Sequence, residues 1–367
     1  MKIAFCNRPT WNSPLGGDGV QMIKTKEYLE KLYGLEIHII TDPELLNKDY
    51  DLIHIFNYVT WQITEGFFRK AIELNIPIVS SSIYWDYTYA FDRLINLFIG
   101  KRFSTFSALI MRSIVHNASK ILGKPLYFSN MFKRKLIYFM DNSKIILPNS
   151  IEEAELLQGF TQKNYNSKIS IVYNAADKPS DNTINISKEN FLTKYKIPDN
   201  YILQVGRIEP VKNQINLVYS LKDNPEIPIV FVGKISNEKY YNKILAIAKK
   251  RGNVFFINQV KHEEISLFYK FASIHVLLSL RESPGLVSLE ALRNNCPIVI
   301  STKQYVPINT YFDDQPYVVN PLNCKEIKKV ILKAYKDRKL INSNIDKFTW
   351  EVTAQQTYDA YNKVLSN

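Results

Sequence analysis

The chain has 367 residues, 46% of them hydrophobic, enough for two domains of ordinary size with packed cores. No stretch approaches the roughly 18 uninterrupted apolar residues of a membrane-spanning helix, and the opening "MKIAFCNRPT" lacks the apolar core of a signal peptide, so a cytoplasmic protein is expected. The net charge of +12 is concentrated in one segment, and the rest of the chain is nearly neutral, which with the absence of any nucleic-acid module argues against a nucleic-acid partner.

In chain order, the first half offers the strand candidates "KIAFC", "EIHIIT", "DLIHIF", "PIVSSS", "KIILPN" and "ISIVYN". Between the fourth and fifth lies the charged segment: residues 93–140 hold Arg93, Lys101, Arg102, Arg112, Lys120, Lys124, Lys133, Arg134 and Lys135, with no Asp or Glu and many aromatic residues. Such a segment suits anionic lipid headgroups, nucleic acid or merely solvent, and the first is the expected partner. The polar, pattern-free stretch "NAADKPSDNTINISKEN" (174–190) reads as a linker. The second half supplies "YILQVG", "IPIVFVG", "VFFINQV", "IHVLLSL", "PIVIS" and "YVVN". Short, continuous apolar runs of this kind suit parallel strands covered on both faces by crossover helices. The expectation is an α/β protein of two Rossmann-like doubly wound domains, 1–175 and 190–345, facing a central cleft, with a last helix at about 350–367 packing back on the first. Cys6, Cys296 and Cys324 are odd in number and form no C-x-x-C pair, so neither a disulfide framework nor a zinc site is expected.

If each half follows the strand order 3-2-1-4-5-6, its first and fourth strands are neighbours and a ligand crevice opens at their carboxyl ends. In the second half those ends carry "GRIEPVKN" and "RESPGLVSLE". Arg207 and Lys212 supply cations for a diphosphate. Pro284 suits a first helical turn, and the N–H groups of Gly285, Leu286 and Val287 can point at an oxyanion. Glu282 and Glu290, eight positions apart, can accept hydrogen bonds from two different sugars of one ligand. In the first half the corresponding ends are "NRPTWNSPLGGDG" and "SSSIYWDY".

"VGRIEPVKN", "VYNAAD", "ISLFYKFASIHVLLSLRESPGLVSLEALRNNCPIVIS" and "FTWEVTAQQTYDAYNKVL" resemble the retaining glycosyltransferases of family 4, of GT-B architecture, over most of residues 140–367. The resemblance implies that Arg207 and Lys212 bind the diphosphate of a UDP- or GDP-sugar, that Glu282 contacts the transferred sugar and that Glu290 contacts the ribose. "PLGGDGVQMIKTKEYLEKL" is similar to the family's glycine-rich loop, which implies that Gly16 and Gly17 let the backbone approach donor phosphates or acceptor. "DLIHIFN" resembles a recurrent segment that would set His54 near the cleft. Many relatives carry a histidine after the fourth strand, whereas this chain reads Ile83, Tyr84, Trp85, Asp86. Either Tyr84 or Asp86 replaces its contact, with Trp85 beside them, or the reaction needs no side-chain base. There is no D-x-D in the expected cleft, so leaving-group charge falls to Arg207, Lys212 and helix N–H groups without a metal or other cofactor. The implied function is transfer of a hexose to a saccharide or lipid-linked acceptor in bacterial polysaccharide synthesis at the inner membrane face; a non-catalytic sugar-nucleotide-binding subunit is the alternative.

Overall fold

The computed structural model describes residues 1–12, 16–86, 130–177, 179, 186–315, 317–341 and 345–366. The chain forms two compact units, Met1–Ala175 together with Phe348–Asn367, and Ala176–Lys347. Most of the basic segment, residues 93–129, lies outside the described residues.

The first unit runs β1 (Lys2–Cys6), α1 (Gly17–Tyr33), β2 (Glu36–Ile40), β3 (Leu52–Phe56), α2 (Trp61–Glu73), β4 (Ile78–Ser81), α3 (Asn130–Asn142), β5 (Ile145–Ile146) and α4 (Ile151–Thr161). Its five strands are parallel in the order β2-β1-β3-β4-β5. This corrects the expected order for the first half. The neighbour of β1 at the point where the winding reverses is β3, with Phe5 opposite both Ile39 and His54. Asp51 fixes that pairing at its start, since its carboxylate accepts from the Lys2 amide at 2.7 Å and its own amide donates to the Lys2 carbonyl. The candidate strand at 169–174 contributes only an isolated bridge, Ile146 to Ile169.

The second unit runs α5 (Lys188–Tyr195), β6 (Ile202–Val205), α6 (Gln214–Ser220), β7 (Ile229–Val232), α7 (Glu238–Arg251), β8 (Val254–Ile257), α8 (His262–Phe271), β9 (Ile274–Leu277), α9 (Leu286–Arg293), β10 (Ile298–Ser301), α10 (Ile308–Tyr311), β11 (Val318–Val319) and α11 (Cys324–Asp337). The strand order β11-β10-β9-β6-β7-β8, all parallel, is the expected 3-2-1-4-5-6 counted within the unit. Strands β6, β7, β9 and β10 are buried at every position, as two-sided helix cover requires.

The last helix, α12 (Trp350–Leu365), returns to the first unit and packs along α1. Tyr33 and Tyr358 stack at 4.0 Å between ring centroids, and the Tyr33 hydroxyl donates to Gln355. Deeper in, His54 joins three elements: its ring nitrogens lie 2.6 Å from the Tyr361 hydroxyl and 2.9 Å from the Ser81 hydroxyl. Phe5 and Phe56 flank the imidazole. At 1% exposure in mid-strand, His54 is an interior tie and not the cleft-facing group expected from "DLIHIFN".

Two predictions follow from this core. Tyr361→Phe leaves a buried imidazole nitrogen without its partner and is expected to destabilise the first unit by about 1–3 kcal/mol in urea unfolding. Burial pulls both His54 and His275 down to about 3, so in the folded protein they stay neutral where an unfolded imidazole takes up a proton. The unfolded chain therefore binds more protons between about pH 6.5 and 3, and stability is present above that window and falls as pH drops through it, by at most about 1.4 kcal/mol per pH unit for each histidine. Urea midpoints at pH 7.5, 6 and 5 check this; a flat profile would refute it.

Candidate active site

The reversal of winding in the second unit sets β6 beside β9, with Leu203 opposite His275. Beyond β6 the chain continues through Gly206 and Arg207 to the turn Pro210–Lys212; beyond β9 it continues through Leu280 to Glu282. The two segments are tied together where the Leu280 amide donates to the Val211 carbonyl at 2.8 Å. The consequence is a close pair. Lys212 Nζ lies 2.6 Å from Glu282 Oε1, with side-chain exposures of 17% and 9%. Gln204 donates to the Lys212 carbonyl and Gln214 to the Arg207 carbonyl, so both cationic residues sit on pinned backbone.

The glutamate is held from its other side as well. The Glu282 amide donates to the Tyr305 carbonyl, and Gly285, at φ 93°, caps α9 so closely that an added Cβ would meet the Glu282 side chain at 3.4 Å. A side chain at 285 would thus combine left-handed strain with crowding of the carboxylate. Leu286 and Val287 open α9, where the first amides have no intrahelical acceptor. Glu290 stands one turn further on and is partly exposed; its Oε2 accepts from the Tyr269 hydroxyl at 3.0 Å. Arg207 is 41% exposed at its side chain and forks onto Glu209, Nη2 at 2.9 Å and Nε at 3.2 Å. The structure therefore brings Arg207, Lys212, Glu282, Gly285 and Glu290 to one end of one sheet.

Sequence reasoning passed over several supports of this site. Gly233, at φ 149° after β7, approaches the Gly206 carbonyl so closely that an added Cβ would lie 2.3 Å from its oxygen. Glu209, inside the quoted "GRIEPVKN", and Tyr269, inside "ISLFYKFASIHVLL", hold the Arg and the second Glu, and no local pattern sets either apart.

In the first unit, Gly16 caps α1 without a side-chain bond and Gly17 begins it. At the β1/β3 switch point the structure gathers Arg8, Asp18 and Asn57: Arg8 pairs with Asp18, and Asn57 Nδ2 donates to the same carboxylate at 3.1 Å. Tyr84 and Trp85, expected as candidate acceptor contacts, are each 2% exposed and belong to the interior. Tyr84 packs near Phe132 and Phe160, and its amide donates to Glu153 at 2.7 Å. Glu153 is itself fully buried and also takes the Ser82 hydroxyl and the Asn149 amide, which pins the segment after β4 against α4. Asp86, partly exposed, is the last described residue before 130. Among the described residues no group of three or more His, Cys, Asp or Glu stands close enough to hold a metal ion, and no helix is long and apolar enough to cross a membrane.

Two parallel sheets with flanking helices, one wound 3-2-1-4-5-6 around a cation and carboxylate pair, define the GT-B fold. Residues 187–347, nearly all of the second unit, match the family model for glycosyl transferases group 1. The serotype-specific mannosyltransferase WbdA of Escherichia coli is 25% identical over 283 residues, 68% of this chain but 32% of that protein, so the chain spans about a third of that relative's length. Among solved structures, the sucrose-phosphate synthase of Thermosynechococcus elongatus superposes with a TM-score of 0.73 over 100% of this chain and 99% of that one, at 15% identity. Anabaena HepE in complex with UDP-glucose gives 0.65 over 99% and 95%, at 14% identity.

The Lys212–Glu282 pair yields a test independent of any ligand. Lys212→Met strands a carboxylate of 8% exposure and is expected to destabilise the second unit by about 1–3 kcal/mol in urea unfolding. Adding Glu282→Gln should recover much of the loss, and strictly additive losses would mean that the pair does not couple.

Proposed function

We propose that this protein is a retaining, metal-independent glycosyltransferase that moves a hexose from a nucleotide diphosphate sugar to a saccharide acceptor of bacterial surface polysaccharide. The observation that carries the reading is the Lys212–Glu282 pair beside Arg207, at the mouth of the β6/β9 switch point and in front of the α9 N-terminus. An ammonium, a guanidinium and unspent amides suit a diphosphate, and the adjoining carboxylate suits the hydroxyls of the sugar that the diphosphate carries. A solved protein of the same fold holding UDP-glucose, and a relative named as a serotype-specific mannosyltransferase, support it.

In this reading the second unit binds the donor. Lys212 and Arg207 take the negative charge of the leaving nucleoside diphosphate as the bond between the anomeric carbon and the phosphate oxygen breaks. The acceptor oxygen bonds to the anomeric carbon on the face the leaving group vacates, and its proton passes to a phosphate oxygen of the departing diphosphate. That route needs no side-chain base, in keeping with a segment after β4 that lacks an imidazole and buries Tyr84 and Trp85. Glu282 holds the hexose, and Glu290, a helical turn away, contacts the ribose. The first unit binds the acceptor at the end of its sheet, where Gly16, Gly17 and the β1/β3 switch point meet.

Arg207→Ala and Lys212→Ala are expected to lower the affinity for UDP or GDP by about 1.5–3 kcal/mol, measured calorimetrically, and to abolish release of nucleotide from the sugar donor. Unchanged nucleotide affinity in both would move the site elsewhere. Glu282→Ala should spare binding of the free nucleotide and impair transfer, because only the intact donor presents a hexose to it.

The acceptor is proposed to be lipid-linked, with residues 93–140 docking on an anionic leaflet. Within α3, Lys135 is bound to Glu65 at 2.7 Å and lies over the Trp61 ring, whereas Arg134 is exposed and Lys133 donates to the side chain of Gln162. Lys133→Ser with Arg134→Ser is therefore the informative variant. It should weaken co-sedimentation with phosphatidylglycerol vesicles by about 1 kcal/mol per charge, an effect that shrinks as salt rises. Equal binding to neutral vesicles would end the idea.

A further inference from the structure

Glu290, the carboxylate assigned above to the ribose, has a buried partner that nothing in that assignment uses. It lies in the middle of α9 and is partly exposed, and a carboxylate must be held in one orientation to read two hydroxyls at once. Tyr269, from α8, donates its hydroxyl to Glu290 Oε2 at 3.0 Å. The phenol cannot follow the carboxylate if it swings. It is 1% exposed, and its ring meets His275 of β9 edge-on at 5.4 Å. Burial, and after it the neighbouring Glu290 charge, raise the phenol well above its ordinary value, so it keeps its proton and serves as a donor. A carboxylate has about four lone-pair directions in one plane. Anchoring Oε2 to an immobile phenol sets that plane and thereby the direction in which Oε1 faces.

We propose that Tyr269 is a positioning residue that orients Glu290 to accept from both hydroxyls of a ribose, and so makes the donor site selective for ribonucleotides over 2′-deoxyribonucleotides. The inference rests on the reading of Glu290 as the ribose contact. Tyr269 touches no ligand in this scheme; its effect passes through Glu290 alone. A hydroxyl removed from the ring leaves the aromatic packing in place, so Tyr269→Phe is a mild change for the core.

The test is calorimetric titration of the full chain with UDP, GDP and their 2′-deoxy counterparts, for the parent, Tyr269→Phe, Glu290→Gln and the double variant. The parent should prefer the ribonucleotide by about tenfold or more, equivalent to roughly 1.4 kcal/mol. Glu290→Gln should collapse that preference, Tyr269→Phe should reduce it to within about threefold, and in the double variant the tyrosine change should add nothing, as expected for groups that act as a unit. If the parent shows no preference, or Glu290→Gln leaves it intact, the ribose reading of Glu290 is wrong. If Glu290→Gln collapses it while Tyr269→Phe does not, the positioning role falls and the ribose reading stands. Equal losses for both sugars in Tyr269→Phe, repeated in the Glu290→Gln background, would mark the tyrosine as a packing residue and overturn the proposal.

Discussion

An ammonium and a carboxylate 70 residues apart in the chain are held 2.6 Å from one another, and much of the second unit is arranged around keeping them there. Each arrives on a loop leaving a buried parallel strand, and the two loops meet only because β6 and β9 are neighbours at the reversal of the winding. Neither charge is fully in water or fully out of it. At such a depth an ion pair contributes little net stability, because desolvation offsets attraction. Its value lies in geometry: each ion holds the other in place. The cap at Gly285, the amide of Glu282 on Tyr305 and the bond from Leu280 to Val211 all restrict where those two side chains can go.

The same economy explains which features were legible in the amino-acid sequence. Parallel strands buried on both faces leave an unmistakable trace of short apolar runs, so the two-sheet α/β architecture could be read from pattern, whereas the order 3-2-1-4-5-6 was assumed for both halves and holds in the second. Arg207, Lys212, Glu282, Gly285 and Glu290 were legible because strand-end chemistry recurs at fixed spacing. The first unit was harder. Its sheet reverses between β1 and β3, and no local pattern distinguishes that order from the other; the choice is made by tertiary pairing such as Asp51 against Lys2.

The misread residues share one physical cause. His54, Tyr84 and Trp85 carry chemistry that suits a site, the first in the middle of β3 and the other two just after β4. Burial, which periodicity reports only coarsely for a continuous apolar run, gives them other tasks. His54 fastens a helix to a sheet, and Tyr84 packs under a segment that a buried carboxylate, Glu153, pulls inward. Tyr269 is the converse case. Nothing in its sequence surroundings singles it out, and its hydroxyl meets a glutamate of the neighbouring helix α9.

The path of the chain between the two units also bears on how the protein is made. His54 and the Tyr361 hydroxyl that meets it are 307 positions apart, and the entire second unit is encoded between them. At a synthesis rate of about 5–20 residues per second, His54 waits roughly 15–60 seconds before Tyr361 is made. Until then the face later occupied by α12, lined by Tyr33 and its neighbours on α1, has no cover, and the second unit has all its residues before α12 begins. The domain that begins first is thus the one that finishes last, its five strands complete by Ile146 and its last helix supplied only after the whole second unit.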